Sequence, residues 1–336
     1  MLKLLNRQNN QKIILCFSVI VTNRCNANCS YCHFLQKKNK KELNKDISDN
    51  LFNLYTLFLK EVKEVLPNNI ELHCRFSGGE PLALGNKVFN LAERMYRKTK
   101  IKPYILTNGK GINSSFVNLA KKSYISHLVV SLENPLDPDP GAPNPDEIIN
   151  KIRKYNSIEF PIIPGAVIIK NEHFKNLYKI CEIFYRKLKF IPTINELGYD
   201  FFMPPTKEQL HDLHKNILKV VRKFSSKTTV NLFPAISPEL CLGGRGSYIC
   251  ELSLENRYRL TLKNINKKIL PILNKLNKKY VDINCKNKNC DWYNGCKQVR
   301  RYWKYGFGNI TPNQAIKNYC DLKRVINNAV FTATVK

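Results

Sequence analysis

Cys25, Cys29 and Cys32 lie within Val21-Thr22-Asn23-Arg24-Cys25-Asn26-Ala27-Asn28-Cys29-Ser30-Tyr31-Cys32, the densest group of potential ligands in the chain. The apolar run from Ile13 to Val21 leads straight into Thr22-Asn23-Arg24-Cys25 with no small-residue cleavage site, so the sequence reads as a cytoplasmic protein. In a reducing compartment, cysteines at short spacing point to metal or cluster ligation rather than disulfides. Zinc is poorly served, because His33 is adjacent to Cys32 and no second CxxC or HxxxH completes a local tetrahedron. Three thiolates on one loop can hold three irons of a 4Fe-4S cube and leave the fourth iron open to an outside ligand.

Such a loop needs a scaffold. Short β-branched runs at Ile13 to Thr22, Ile70 to Phe76, Tyr104 to Thr107, His127 to Leu132, Ile162 to Ile169 and Lys189 to Ile194 read as strands. Between them lie amphipathic stretches at Asp49 to Val65, Lys87 to Lys98, Asn113 to Lys122, Asp146 to Tyr155 and His173 to Leu188. This alternation predicts an α/β fold, a partial (β/α)6 TIM-like barrel whose ligands bind at the carboxyl ends of its strands. The cysteine loop follows the first strand at that end. Past Pro204-Pro205 the alternation is expected to stop, with Thr206 capping a helix to about Phe224. The expected organisation is a tail over 1–12, the barrel over 13–205, and a helix with a cysteine-rich region over 206–336.

The spacing CxxxCxxC, with Tyr31 before its last cysteine, resembles the radical S-adenosylmethionine superfamily. Further elements of that family's pattern follow in order. Ser77-Gly78-Gly79-Glu80-Pro81 closes the second strand and is similar to the family's GGE(P) element, which implies that its backbone and Glu80 hold the methionyl amino group. Thr107-Asn108-Gly109 ends the third strand and Ser131-Leu132-Glu133 the fourth. By position the resemblance assigns Asn108, Ser131 and Glu133 to the cofactor's ribose and carboxylate. It implies reductive cleavage of S-adenosylmethionine to a 5′-deoxyadenosyl radical that abstracts hydrogen from an unactivated C–H bond. Cys25, Cys29 and Cys32 are then the catalytic cluster ligands.

Six of the twelve cysteines lie in the last third of the chain: Cys241, Cys250, Cys285, Cys290, Cys296 and Cys320. Cys285 to Cys296, with Cys320 beyond, resembles the auxiliary-cluster extension called SPASM, or its shorter twitch relative. The match departs in two places, since the first interval is x4 rather than x2 and Arg300 stands where a further cysteine is expected. Cys285, Cys290, Cys296 and Cys320 make a complete S4 set for at least one auxiliary 4Fe-4S cluster, though four thiolates also suit a structural zinc. Cys241 and Cys250 are candidate ligands of a second, incomplete cluster. Cys16, Cys74 and Cys181 fall in strand or helix patterns and read as packing residues.

Substrate class rests on the resemblance. The auxiliary extension implies a maturase of ribosomal peptides that makes an oxidative change such as a C–C or C–S cross-link. Its partners would be a precursor peptide and an electron donor such as flavodoxin or ferredoxin. With about a dozen residues before the first strand, leader recognition is expected from a separate protein, the barrel or the C-terminal region. A radical dehydrogenase or epimerase acting on a small molecule or peptide is the alternative. An RNA-modifying enzyme is another, because a formal charge of +29 and pI ≈ 9.7 are the electrostatic footprint of a nucleic-acid binder. Lysines spread along a chain also rich in Asn and Ile explain that charge equally well as composition. No run approaches the roughly 20 apolar residues of a membrane span.

Overall fold

The computed structural model describes residues 13–32, 45–65, 70–196, 205–228 and 240–242, together with Val325 and Ala329. Strands and helices alternate along it: β1 (Ile13–Thr22), α1 (Asp49–Val65), β2 (Ile70–Gly78), α2 (Lys87–Thr99), β3 (Tyr104–Thr107), α3 (Ser114–Lys121), β4 (Leu128–Leu132), α4 (Pro145–Tyr155), β5 (Ile162–Ile169), α5 (Leu177–Leu188), β6 (Thr193–Glu196), α6 (Lys207–Phe224) and β7 (Leu240–Leu242). These strands pair in parallel throughout, in the order β6-β5-β4-β3-β2-β1-β7. The sheet is open, with helices packed on it, as the expected partial barrel requires. Among the described residues no helix is long and apolar enough to cross a membrane.

Parallel strands joined by helical crossovers must bury apolar side chains on the helix-facing surface. Phe17, Val19 and Val21 do this in β1, and the Phe17 ring meets Phe58 of α1 edge-on at 5.9 Å. Phe52 meets Phe76 of β2 in the same manner at 6.1 Å. This core holds the carboxyl ends of β1 and β2 side by side, with Thr22 level with Gly78 after a register shift past Ile20. A bulge there re-aims the chain as it leaves the sheet toward the cysteine loop.

Helix starts follow the sequence closely. Asn113 caps α3 by accepting the Phe116 N–H, and Asn144 caps α4 ahead of Pro145, whose fixed φ suits a first helical position. At α6 the Thr206 side chain accepts the Gln209 N–H while Gln209 reaches back to the Thr206 N–H, a reciprocal capping box. The expected sixth strand is displaced: α5 runs to Leu188 and closes on Lys189 at φ 59°, so pairing begins only at Thr193. The expected helix from His173 opens instead as a 3-10 turn over Asn171–Asn176.

The expected end of alternation past residue 206 also differs from the structure. Helix α6 packs on α5, with Phe224 5.1 Å from the Tyr185 ring, and the three residues of β7 pair with β1. The sheet therefore grows on the β1 edge, opposite β6. Cys241 lies on β7 with its Cα partnered to Ser18.

Candidate active site

The cysteine loop leaves β1 and is held from three directions. The first is the returning chain at Lys45 to Ile47: Asn23 N–H donates to Lys45 C=O at 2.8 Å and Ile47 N–H to Val21 C=O at 2.9 Å. Asp46 accepts from Thr22 Oγ1 at 2.9 Å and from Arg24 Nε at 2.8 Å, and it pairs with Arg24 Nη2 as well. Burial alone would raise the Asp46 carboxyl, but these bonds outweigh it and hold the group below its ordinary range.

The second is the turn after β2. Gly79 N–H donates to Thr22 C=O at 2.9 Å and Glu80 N–H to Arg24 C=O at 2.6 Å. A Cβ on Gly78 would stand 2.1 Å from Thr22 O, and one on Gly79 2.2 Å from Arg24 O. Both glycines are thus needed for loop to meet loop, and Gly78 at φ +135° needs its backbone freedom too. Ser77, just before them, is buried in β2.

Glu80 is 0% exposed and ties the β2 turn to the end of β3. Its Oε1 accepts from Thr107 Oγ1 at 2.7 Å and Leu82 N–H at 2.9 Å, and its Oε2 accepts Asn108 N–H at 2.7 Å. Burial raises its pKa while the three donors oppose the shift. Of roughly four lone-pair sites on a carboxylate, the one left open on Oε2 is what a ligand ammonium would take. Leu82 carries no motif that marks it in the sequence, and Thr107 is marked only as the start of Thr107-Asn108-Gly109.

The third direction is the end of β4 and the loop after it. Glu133 accepts from the Tyr31 hydroxyl, Asp139 accepts from Ser30, and Gly141 C=O accepts Asn28 N–H at 2.8 Å. Asn108, from β3, reaches across to Asn26 Oδ1 at 2.9 Å and stands 4.0 Å from Cys25 Sγ. Ser131 is half-buried on β4. The structure therefore gathers Tyr31, Glu80, Asn108 and Glu133 around the cysteine loop. Asp46, Thr107, Asp139 and Gly141 join them, and of these four the sequence pattern marked only Thr107, as the start of the element that ends the third strand.

Cys25, Cys29 and Cys32 are free and half-buried, with Cys32 N–H turned onto Cys29 C=O at 3.0 Å. Burial raises Cys25, and it pushes Cys29 up to about 12 with help from the Glu133 carboxylate. Burial and Glu133 also raise Tyr31, and burial raises Glu133 itself. Three neighbouring thiols on one loop are a donor set suited to iron. Buried Asn23 Oδ1 and Asn134 Nδ2, beside the same loop ends, have no hydrogen-bond partner among the described residues. These residues fit a 4Fe-4S cluster with an adjacent polar ligand. Cys250, Cys285, Cys290, Cys296 and Cys320 lie outside the described residues, and of Cys241 only the backbone placement is described.

Compared with known proteins, residues 19–183 match the Radical SAM superfamily. The matched stretch, just under half of the chain, runs from within β1 into α5. The radical SAM cyclopropyl synthase TigE of Paramaledivibacter caminithermalis is 27% identical over 144 residues, which span 39% of this chain and 29% of that protein. The chain therefore matches less than a third of that curated relative's length. Among solved structures, polyhistidine-tagged anSMEcpe with bound AdoMet superposes with a TM-score of 0.64 at 16% identity, covering 95% of this chain and 98% of that one. Native anSMEcpe with bound AdoMet and Cp18Cys peptide gives 0.63 at 16% identity over 94% and 99%. At this identity the likeness is one of fold.

Proposed function

We propose that the chain is a radical SAM enzyme that abstracts hydrogen from a peptide and leaves it oxidatively modified, for example cross-linked through a C–C or C–S bond. The observation that carries this reading is the loop of three free cysteines, packed against the carboxyl ends of β1 to β4 in a radical SAM domain. Bound there, a 4Fe-4S cluster and S-adenosylmethionine together supply a 5′-deoxyadenosyl radical.

The protein's part is to bind, orient and shield. Cys25, Cys29 and Cys32 would hold three irons. The Gly78-Gly79 turn, the open lone pair of Glu80 Oε2, Asn108, Ser131, Tyr31 and Glu133 would hold the S-adenosylmethionine. The bonds from Asn108 N–H to Glu80 and from the Tyr31 hydroxyl to Glu133 hold four of these groups at the fixed distances that a near-attack geometry needs. The buried wall behind them keeps water and stray hydrogen donors from the reacting atoms.

A peptide substrate is favoured because native anSMEcpe, of the same fold, is described with a bound peptide. Cys285, Cys290, Cys296 and Cys320 would carry an auxiliary 4Fe-4S cluster, with Cys241 and Cys250 as further ligand candidates. A flavodoxin or ferredoxin would donate the electron in the cytoplasm.

Anaerobically reconstituted protein is expected to bind about eight irons and to form 5′-deoxyadenosine under reducing conditions. Replacing Cys25, Cys29 and Cys32 by Ala should remove about four irons and all 5′-deoxyadenosine. Persistent cleavage in that variant sinks the reading. Mass spectrometry of a co-expressed precursor peptide should show loss of about two hydrogens for a cross-link, whereas an unchanged peptide beside modified RNA would move the assignment to RNA.

A further inference from the structure

Among the described residues, the segment that follows β4 hydrogen-bonds to the cysteine loop at Asn28, Ser30 and Tyr31. We infer that residues 133–141 form a bracket holding the cysteine loop in its ligating shape, with Asp139 as the positioning residue; the inference rests on the reading of that loop as the cluster site.

Between Cys25 and Cys32 the chain has no ladder to shape it, and the turn from Cys32 to Cys29 is local. Its order must come from outside, and the bracket supplies it at three of the four residues from Asn28 to Tyr31. Asn28 N–H donates to Gly141 C=O at 2.8 Å. Ser30 donates its N–H to the Asp139 carboxylate at 3.1 Å and its hydroxyl to the same group. The Tyr31 hydroxyl donates to Glu133. These contacts flank Cys29 on both sides.

The bracket is built for close approach. A Cβ on Gly141 would stand 1.9 Å from Asn28 O, so the two backbones can meet this way only at glycine. Asp139 Oδ1 also accepts Gly141 N–H at 2.9 Å, so one carboxylate shapes its own loop and grips the other.

The far side is anchored as well. Asp137 accepts from His173 Nε2 at 2.9 Å, in the 3-10 turn after β5. His173 Nδ1 accepts the Lys170 N–H at 3.0 Å, which leaves the ring proton on Nε2 to be donated to Asp137. Asp137, Glu172 and His173 converge closely enough to resemble a metal site. With Nε2 occupied as a donor, the Asp137–His173 pair serves instead as the bracket's anchor.

A loop already in its bound shape needs less ordering when irons bind and opens less often to lose them. Removing a charged acceptor from partly solvated donors should speed release of the loop's irons roughly ten-fold. The experiment uses the full chain, reconstituted anaerobically, with the Cys25, Cys29 and Cys32 to Ala variant as baseline for auxiliary iron. Iron release into a ferrous chelator and the electron paramagnetic resonance of the dithionite-reduced protein are measured with and without S-adenosylmethionine.

Asp139→Ala should release one cluster's iron roughly ten-fold faster and broaden the cysteine-dependent signal, with far-ultraviolet circular dichroism unchanged. Asp139→Asn, which keeps one acceptor oxygen, should fall between it and the unsubstituted protein. Ser30→Ala should have a smaller effect, and combining it with Asp139→Ala should add nothing, because both remove one interaction. Wild-type release and an unchanged signal in Asp139→Ala, or full additivity with Ser30→Ala, overturn the bracket alone. Iron content and a signal both unchanged by loss of all three cysteines overturn the cluster site and the bracket together.

Discussion

Replacing Glu80 separates two jobs that one carboxylate could do, gripping a ligand's ammonium or joining two loops. Three protein donors converge on it: Thr107 Oγ1, Leu82 N–H and Asn108 N–H, at 2.7, 2.9 and 2.7 Å. Glu80→Ala leaves all three without an acceptor. A buried donor stranded in this way costs roughly 1–3 kcal/mol, and water can reach Asn108 at the edge, so the expected loss is about 3–5 kcal/mol. Glu80→Gln is the sharper probe. Its amide oxygen takes the place of Oε1, where two donors wait, and its NH2 then faces the Asn108 N–H. One bond to a charged acceptor becomes a donor–donor contact, which costs about 2 kcal/mol, or roughly a thirty-fold shift in a local opening equilibrium. Hydrogen exchange on the cofactor-free protein reads this directly. The Asn108 amide should exchange roughly thirty-fold faster in Glu80→Gln, while amides in the centres of β1 and β2 stay protected. The reasoning fails if Glu80→Gln keeps wild-type exchange and wild-type urea unfolding yet loses S-adenosylmethionine binding. The carboxylate would then act on the ligand and not on the loops.

Three further outcomes follow from the same geometry. Gly79→Ala sets a methyl against Arg24 O at 2.2 Å, so the β2 turn and the cysteine loop must part; it should cost more than about 2 kcal/mol in urea unfolding and open the loop to proteolysis. Asp46 sits below the ordinary carboxylate range in the folded protein, so its contribution is present above the unfolded value near 3.9 and is lost as pH falls through the folded one. Solvent screening at half-exposed Arg24 keeps it under about 1 kcal/mol, and Asp46→Asn should flatten the acid limb of urea midpoints measured from pH 6 to 2 by that amount. Asn113→Ala removes the cap of α3 and should cost about 1 kcal/mol by urea unfolding without changing iron content, a control remote from the cysteine loop.

The alternation of strands and helices was readable because each element carries its own period. β1 and α1 begin and end where their apolar patterns do, at Ile13, Thr22, Asp49 and Val65. The cysteine loop was readable for a chemical reason, since three thiols at x3 and x2 spacing have few other uses. β7 was not, because three residues have no period and its partner Ser18 lies more than two hundred positions earlier. The glycines were only half readable. Gly78 and Gly79 announce a close approach, but the sequence does not say to what, and the structure answers with the carbonyls of Thr22 and Arg24.

What escaped the sequence altogether is the set of contacts that make the loop a site. Asp139 sits in a run of prolines and aspartates that reads as ordinary loop, and its partner Ser30 is 109 residues away. Thr107 and Glu80 are 27 apart and both look like strand-end residues. Neither pair has a spacing rule, because the parallel sheet, not the local chain, brings β1, β2, β3 and β4 to one edge. A parallel βα architecture places every strand's carboxyl end at the same face, so residues just past those ends meet whatever their separation in sequence. The ligand-bearing residues can then be few and marked by motif, while the residues that hold them vary with the loops. Asp46, Asp139 and Glu80 all follow that logic here: each is a carboxylate that accepts hydrogen bonds across two loops at the ends of the strands.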